Sequence, residues 1–382
     1  MQPQGQPVSK ETTKFPKLKY AASASLVGIC LFFSIYNVGL RLGGMLAGMA
    51  EMKFKSHEAM ITENGKSNNT RRLESMDATA GIFSYVHISK CGGSTWGRIL
   101  KQLDLSVRSD EKSVQYQRKK LGSRAAYHLT TLRSPRHHVF SMFMHCKYHK
   151  REKKGRWKEH NGLSPKGDMD DYKIWLDYHV PMGPENRDRL ECAFHPANYQ
   201  SRHLTSIATR PHGLGGGDPF EPDASKANQT YWELDFVGLT EFTHESRCLL
   251  YYRLRSNALP KAQAYLDKNC RCSGPIDEEG IDDVHVLHHN ATRRSNLRDL
   301  PKDLLSKVEE LTRIDTAIYN IALRQFLAEI AWLESKAALR RRVLCDDVLR
   351  KLEPELSYLP AADGQATNVT RIYLEAIGVR LQ

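Results

Sequence analysis

From Tyr85 to Leu100 the chain reads YVHISKCGGSTWGRIL, a strand, a glycine turn and an amphipathic helix with a lysine at the turn. Ile82, Tyr85, Val86 and Ile88 read as a short buried strand. Trp96, Ile99, Leu100 and Leu103 recur at i, i+3, i+4 and i+7, the period of a helix with one packed face. Between them stand Lys90, Cys91, Gly92, Gly93, Ser94 and Thr95. Gly92 and Gly93 permit positive φ and close backbone approach, so successive N–H groups can wrap an oxyanion at the helix N-terminus, where the macrodipole also favours negative charge. Lys90 and the two hydroxyls complete a phosphate cradle. The plain alternative is a tight strand-to-helix turn that holds no ligand.

The lysine precedes the glycines, whereas in the nucleoside-triphosphatase loop it follows them. That order, with Thr95-Trp96 after it, resembles the 5′-phosphosulfate loop of sulfotransferases that use 3′-phosphoadenosine 5′-phosphosulfate (PAPS). A second stretch, Tyr127 to Met144, reads YHLTTLRSPRHHVFSMFM. It predicts a strand over 125–132 with Arg133 at its end, then a helix opened by Pro135, where no N–H is needed. Val139, Phe140, Phe143 and Met144 face the core. A guanidinium fork at Arg133 and the Ser141 hydroxyl suit a second phosphate. This stretch resembles the sulfotransferase 3′-phosphate motif LRDPxxRxxS, with Ser134 in place of the aspartate and His138 in place of the second arginine.

Three further segments follow in the order found in carbohydrate O-sulfotransferases of the heparan sulfate 6-O-sulfotransferase group. Asn198 to Leu204 is similar to NxQxRxL, Phe236 to Phe242 to FxGLTEF, and Asn290 to Asn296 to NxTRxSN. The resemblance covers about 82–326. It implies a P-loop-like α/β fold, a central parallel sheet flanked by helices, with PAPS as co-substrate and no metal. Alternating strands and helices support that fold independently. By resemblance Lys90, Cys91, Gly92, Gly93, Ser94, Thr95 and Trp96 hold the 5′ end of the nucleotide, Arg133 and Ser141 its 3′-phosphate, and Thr292 and Arg293 lie near it. Lys90 doubles as the catalytic cation. The group places a histidine base between the two nucleotide motifs, but none occurs here between Trp96 and Tyr127. Glu111 and His128 are the nearest candidates; each reads equally as a solvated carboxylate or a satisfied strand histidine.

The chain has 382 residues, 40% hydrophobic and 26% charged, with a formal net charge of +12. That excess points to an acidic partner: nucleic acid, an anionic membrane or an anionic polysaccharide. Location decides among them. Lys10, Lys14, Lys17 and Lys19 precede an uncharged run over 20–40 that Arg41 ends, close to the ~20 residues that cross a bilayer. We read it as a transmembrane signal anchor with the N-terminus in the cytosol, the rival reading being a cleaved signal peptide. The expected organisation is a cytosolic tail over 1–19, the anchor over 20–40, a stem over 41–79, the sulfotransferase domain over 80–351 and a C-terminal extension over 352–382. A Golgi-lumenal domain excludes nucleic acid and leaves an anionic glycan or polysaccharide as partner. Sequons at Asn68, Asn228, Asn290 and Asn368 agree with the lumen. Besides Cys30 there are seven cysteines; Cys91 is expected free, and Cys270 or Cys272 bridged to Cys248 or Cys345.

Other stretches offer rival chemistry. Asp168-Met169-Asp170 fits the metal-holding DxD of a lumenal glycosyltransferase, or a helix-capping acidic turn. Lys147 to Lys158, KYHKREKKGRWK, fits a groove for an acidic polymer or a solvated loop. His145 and His149 have zinc-like spacing without the rest of an HExxH pattern. Residues 104–124 read as charged and irregular, and 301–351 as helical with a core stripe. The sequence therefore predicts a membrane-anchored carbohydrate sulfotransferase. A glycosyltransferase and a non-enzymatic binder of polyanionic glycans are the alternatives.

Overall fold

The computed structural model describes residues 75–77, 79–148, 168–180, 182, 195–206, 221–254, 259–272, 297, 300–336, 341–359 and 367–378. Four parallel strands form its sheet: β1 (Ile82–Val86), β2 (Val107–Asp110), β3 (Ala125–Leu132) and β4 (Phe236–Leu239), in the spatial order β2-β1-β3-β4. Strands β1 and β4 are short and mostly apolar because helices cover the sheet, as parallel sheets require. Phe83, Tyr85 and Val86 are buried, and all four residues of β4 are buried.

Helix α1 (Gly93–Gln102) connects β1 to β2 and buries Trp96, Ile99 and Leu100. The chain then returns through α2 (Val114–Leu121) across β1 to β3. The connections from β1 to β2 and from β2 to β3 thus run in opposite directions. In open α/β sheets the crevice beyond the carboxyl ends of strands at such a reversal is where ligands bind. Here it lies above β1 and β3.

After β3 come α3 (Pro135–Tyr148), α4 (Asp168–His179), α5 (Tyr199–Thr205), α6 (Ala224–Trp232) and then β4. A turn at Thr240–Phe242 leads into α7 (Thr243–Arg253) and α8 (Pro260–Asn269). The long α9 (Lys302–Lys336) bends at Thr312, whose φ of −124° and ψ of 17° are not helical. It is followed by α10 (Asp346–Leu356) and α11 (Val369–Ala376).

Several expectations change. Residues 104–124 hold a strand and a helix. β2 escaped notice because it is the sheet's edge: Val107, Arg108, Ser109 and Asp110 leave no fully buried position to make a period. The boundary drawn after residue 351 falls inside α10, and Leu352, Leu356, Leu359 and Tyr373 are buried in the same core as β1. The C-terminal residues described are therefore part of the domain. Cys248 bridges Cys270 and Cys272 bridges Cys345, so both cysteines of the pair are used. Cys146 is also disulfide-bonded, and Cys91 is free and buried. Of the sequons, Asn368 is exposed at the start of α11, whereas Asn228 is buried within α6.

The run over 20–40, the stem up to residue 74, Asn68, His149, the basic run beyond Tyr148, Asn290, Thr292 and Arg293 lie outside the described residues, whereas Met76, near the end of the expected stem, is buried in the core of the domain. Among the described residues no helix is long and apolar enough to cross a membrane.

A candidate anion site above β1 and β3

The turn after β1 is built by two residues in the left-handed region, Lys90 (φ 68°) and Gly92 (φ 75°). Glycine takes that conformation freely; lysine does so only when its surroundings hold it there. The Cys91 N–H donates to Ile88 O at 3.1 Å, the Trp96 N–H to Gly92 O at 3.0 Å, and the Thr131 hydroxyl to Cys91 O at 2.6 Å. Thr131 is in turn paired with the Tyr85 hydroxyl at 2.7 Å. The Cys91 carbonyl is thus tied to the sheet. No side chain caps α1, and its first turn holds no acid. The amides of Gly93, Ser94 and Thr95 therefore face a helix terminus that favours an anion.

Arg133, the first residue after β3, donates through Nη1 to the Lys90 carbonyl at 3.0 Å. Its Nε is buried without a partner among the described residues. Burial pushes the Lys90 amine down to about 8, with Arg133 adding to the fall and Glu111 opposing it. Two cations thus meet at the end of the central strands, an arrangement that an anion would relieve.

Two of the three weaker motifs, Asn198 to Leu204 and Phe236 to Phe242, converge on the same place. Gln200 of α5 accepts from the Arg133 N–H and donates to the Arg133 carbonyl, both at 2.9 Å, and accepts from the Cys91 thiol at 3.4 Å. Asn198 accepts from the amides of Ile314 and Asp315 at the bend of α9, and Asp315 accepts in return from the amides of Gln200 and Ser201. Each segment caps the other. Thr240 donates to Leu132 O at 3.0 Å, and Glu241 accepts from the Ser134 N–H and the Tyr319 hydroxyl at 2.9 and 2.7 Å. Burial raises the Glu241 carboxyl, with Arg133 opposing.

The replacements in the second motif have structural partners. His138 is buried, and a ring nitrogen lies 2.8 Å from Ser89 O. Burial pushes its pKa down to about 3, so it is neutral and donates to that carbonyl. It anchors the loop rather than gripping an anion as an arginine would. Ser134 pairs with the Tyr358 hydroxyl at 2.8 Å, and the Arg136 guanidinium stacks 3.8 Å from the Tyr358 ring.

The other candidates differ in where they lie. Ser141 is half-buried six residues into α3, about 9 Å along the axis from Pro135. Trp96 is a core residue, its indole buried against Phe236 and beneath Gly238, so only its backbone belongs to the loop. Cys91 likewise contributes its amide, since burial pushes its thiol well up. His128 is not brought to the site. It lies on β3 opposite Ser84 of β1, four residues, or about 13 Å, below the strand end. Its pKa is lowered by burial and then by Arg118. Glu111 does reach the loop, accepting from the Ser89 hydroxyl at 2.8 Å.

The reading of the residues missed His87. Its ring lies over Gly93, where a Cβ would stand 1.8 Å from Cδ2 and 1.9 Å from Nε2. Its Nδ1 is 3.7 Å from Glu111 Oε1. The trace in sequence is a polar residue interrupting IFSYVHI just before the glycines. The DxD reading finds Asp168-Met169-Asp170 in the first turn of α4, with Asp170 exposed. The neighbouring Asp171 is buried in an ion pair with Lys147 at 2.7 Å. Among the described residues no group of three or more His, Cys, Asp or Glu side chains stands together to hold a metal ion.

Neither the comparison with protein-family models nor the search of curated proteins returns a match for this chain. The geometry of the site and the resemblance of its motifs carry the functional reading.

Proposed function

We propose that the chain is a PAPS-dependent carbohydrate O-sulfotransferase, anchored in the Golgi membrane through residues 20–40 with its catalytic domain in the lumen. The observation that carries the reading is the meeting of the two anion-binding motifs, with Arg133 bonded to the Lys90 carbonyl above β1 and β3. PAPS supplies an activated sulfuryl group on a nucleotide that bears two phosphate positions. The first-turn amides of α1 and the Lys90 ammonium would stabilise charge growing on the leaving oxygen, which is where preorganised donors contribute most. Arg133 and Ser141 would hold the second phosphate. A sulfuryl group carries less charge than a phosphoryl group, so a lysine and oriented amides can do what phosphoryl transferases do with magnesium.

Two further observations support the setting. The bridges Cys248–Cys270 and Cys272–Cys345 suit an oxidising compartment. The +12 net charge suits an anionic glycan.

The test is transfer of label from [35S]PAPS by the full-length chain, in the presence of chelator, to a panel of desulfated heparin, chondroitin and neutral glycans. Label in a glycan is the expected result. Transfer that needs manganese and a nucleotide sugar instead would establish the glycosyltransferase. No transfer from either donor, with retention on heparin, would establish a binding protein.

A further inference from the structure

At the edge of the anion site, three groups form a cluster that the reading above leaves unused. The backbone N–H of His87 donates to Asp110 O at 3.0 Å, continuing the pairing of β1 with β2 one residue past the end of β1. This pairing sets His87 beside Glu111, the residue after β2, with Nδ1 3.7 Å from Oε1. Glu111 is fixed from below by the Ser89 hydroxyl at 2.8 Å. The opposite edge of the imidazole, Cδ2 and Nε2, covers Gly93 at the first residue of α1. One nitrogen therefore faces a carboxylate, and the other lies over the first residue of α1, the helix whose N-terminus forms the candidate anion site. Gly93 has no side chain to displace the ring, which gives the second glycine a reason of its own.

We propose that His87 is the general base of the transfer and that Glu111 positions it and steadies the imidazolium that forms. The inference rests on the sulfotransferase reading. As the acceptor oxygen forms its bond to sulfur, His87 Nε2 takes the hydroxyl proton. The bond from sulfur to the 5′-phosphate oxygen breaks, and its electron pair stays on that oxygen beside Lys90. The imidazolium proton then passes to water.

The charged groups facing the ring are Glu111 from the end of β2 and Lys90 from the loop. Burial and Lys90 lower the pKa of His87, and Glu111 raises it. The imidazole is thus neutral at neutral pH, the form a base requires, and the expected acid limb of kcat/KM, which reports the free enzyme, lies below the ordinary histidine value of about 6.5.

The experiment uses full-length chain labelled with 13C-histidine, with the His87→Asn variant identifying the resonance. The His87 signal is expected to titrate at lower pH in Glu111→Gln and at higher pH when adenosine 3′,5′-bisphosphate is bound. A His87 signal indifferent to both would overturn the proposal. In the labelled transfer assay, His87→Asn should lower kcat by ~10²-fold or more and remove the acid limb, while nucleotide affinity changes only a few-fold. Glu111→Gln should lower kcat less and move the limb to lower pH. If Glu111→Gln instead removes the limb and His87→Asn keeps it, the carboxylate is the base and His87 is not. Wild-type chain that binds no adenosine 3′,5′-bisphosphate and transfers no label would defeat the sulfotransferase reading itself. Binding with an indifferent His87 defeats only this inference.

Discussion

Arg133 and Lys90 are 43 positions apart, and the guanidinium of one donates to the backbone carbonyl of the other at 3.0 Å. Arg133 thereby ties down the backbone of Lys90, which is left-handed, and under the proposed function it would also offer charge to an anion. The two variants should therefore separate. Lys90→Ala should lower saturating turnover by ~10²-fold or more, as loss of an oxyanion donor does, with a smaller effect on PAPS affinity. Arg133→Ala should weaken PAPS binding more than turnover and, because the loop loses an anchor, should also lower the melting temperature. Equal melting losses with unchanged kinetics in both would reduce the pair to a structural role.

Lys90 sets a second expectation through its pKa. In the proposed mechanism it would act as a cation, and burial holds it at about 8, so its charge is present below that pH and is lost above it. The profile of kcat/KM for PAPS, which reports the free enzyme, should fall as pH rises through about 8. Lys90→Arg, which stays charged over this range, should remove that limb in whatever activity it retains. A limb unchanged in Lys90→Arg would assign it to another group.

Two glycines in the same helix should behave oppositely. A Cβ at Gly93 would meet the His87 ring at 1.8 to 2.6 Å, whereas one at Gly97 meets nothing within 4 Å. Gly93→Ala should expel the ring and weaken nucleotide binding about tenfold or more, and His87→Ala in the same chain should restore much of the affinity. Gly97→Ala should raise stability by about 0.5–1 kcal/mol through helix propensity. Coupling between positions 87 and 93 in a double-mutant cycle of nucleotide affinity is the measure; additive effects would contradict the contact.

These contacts show what the sequence could and could not reveal. Strand β3 and the helix start at Pro135 were legible because an apolar run ends at an arginine and a proline. β1 and α1 were legible because the glycines separate a buried strand from a helical stripe. β2 was not, since an edge strand with half-exposed Arg108 and Asp110 has no pattern. The role of Gln200 was legible only as a motif letter; its bonds to Cys91 and Arg133 cross 109 and 67 positions. His87 was overlooked because a base was sought after the loop, while the fold brings a histidine to the loop from before it.

Away from the site, Glu245 on α7 is buried, and burial pushes its carboxyl from 4.5 up to about 7. The folded-state value is raised, so the protonated form favours folding below about 4.5, and that contribution is lost as pH rises through about 7. Glu245→Gln should melt higher than wild type at pH 8, and the gap should close toward pH 4.5. A gap that is constant with pH would show that the carboxyl does not titrate in this window.

The central claim is that the turn from Lys90 to Thr95 and Arg133 together take a nucleotide with phosphates at both 3′ and 5′ positions. The most direct measurement is the melting temperature of the full-length chain with and without adenosine 3′,5′-bisphosphate in chelator. Ligand at a hundredfold over its Kd stabilises by ~2.7 kcal/mol through mass action, so a rise of a few degrees is predicted. It should be lost in Arg133→Ala and be absent with adenosine 5′-monophosphate. No rise with the bisphosphate, or an equal rise with the monophosphate, would contradict the account.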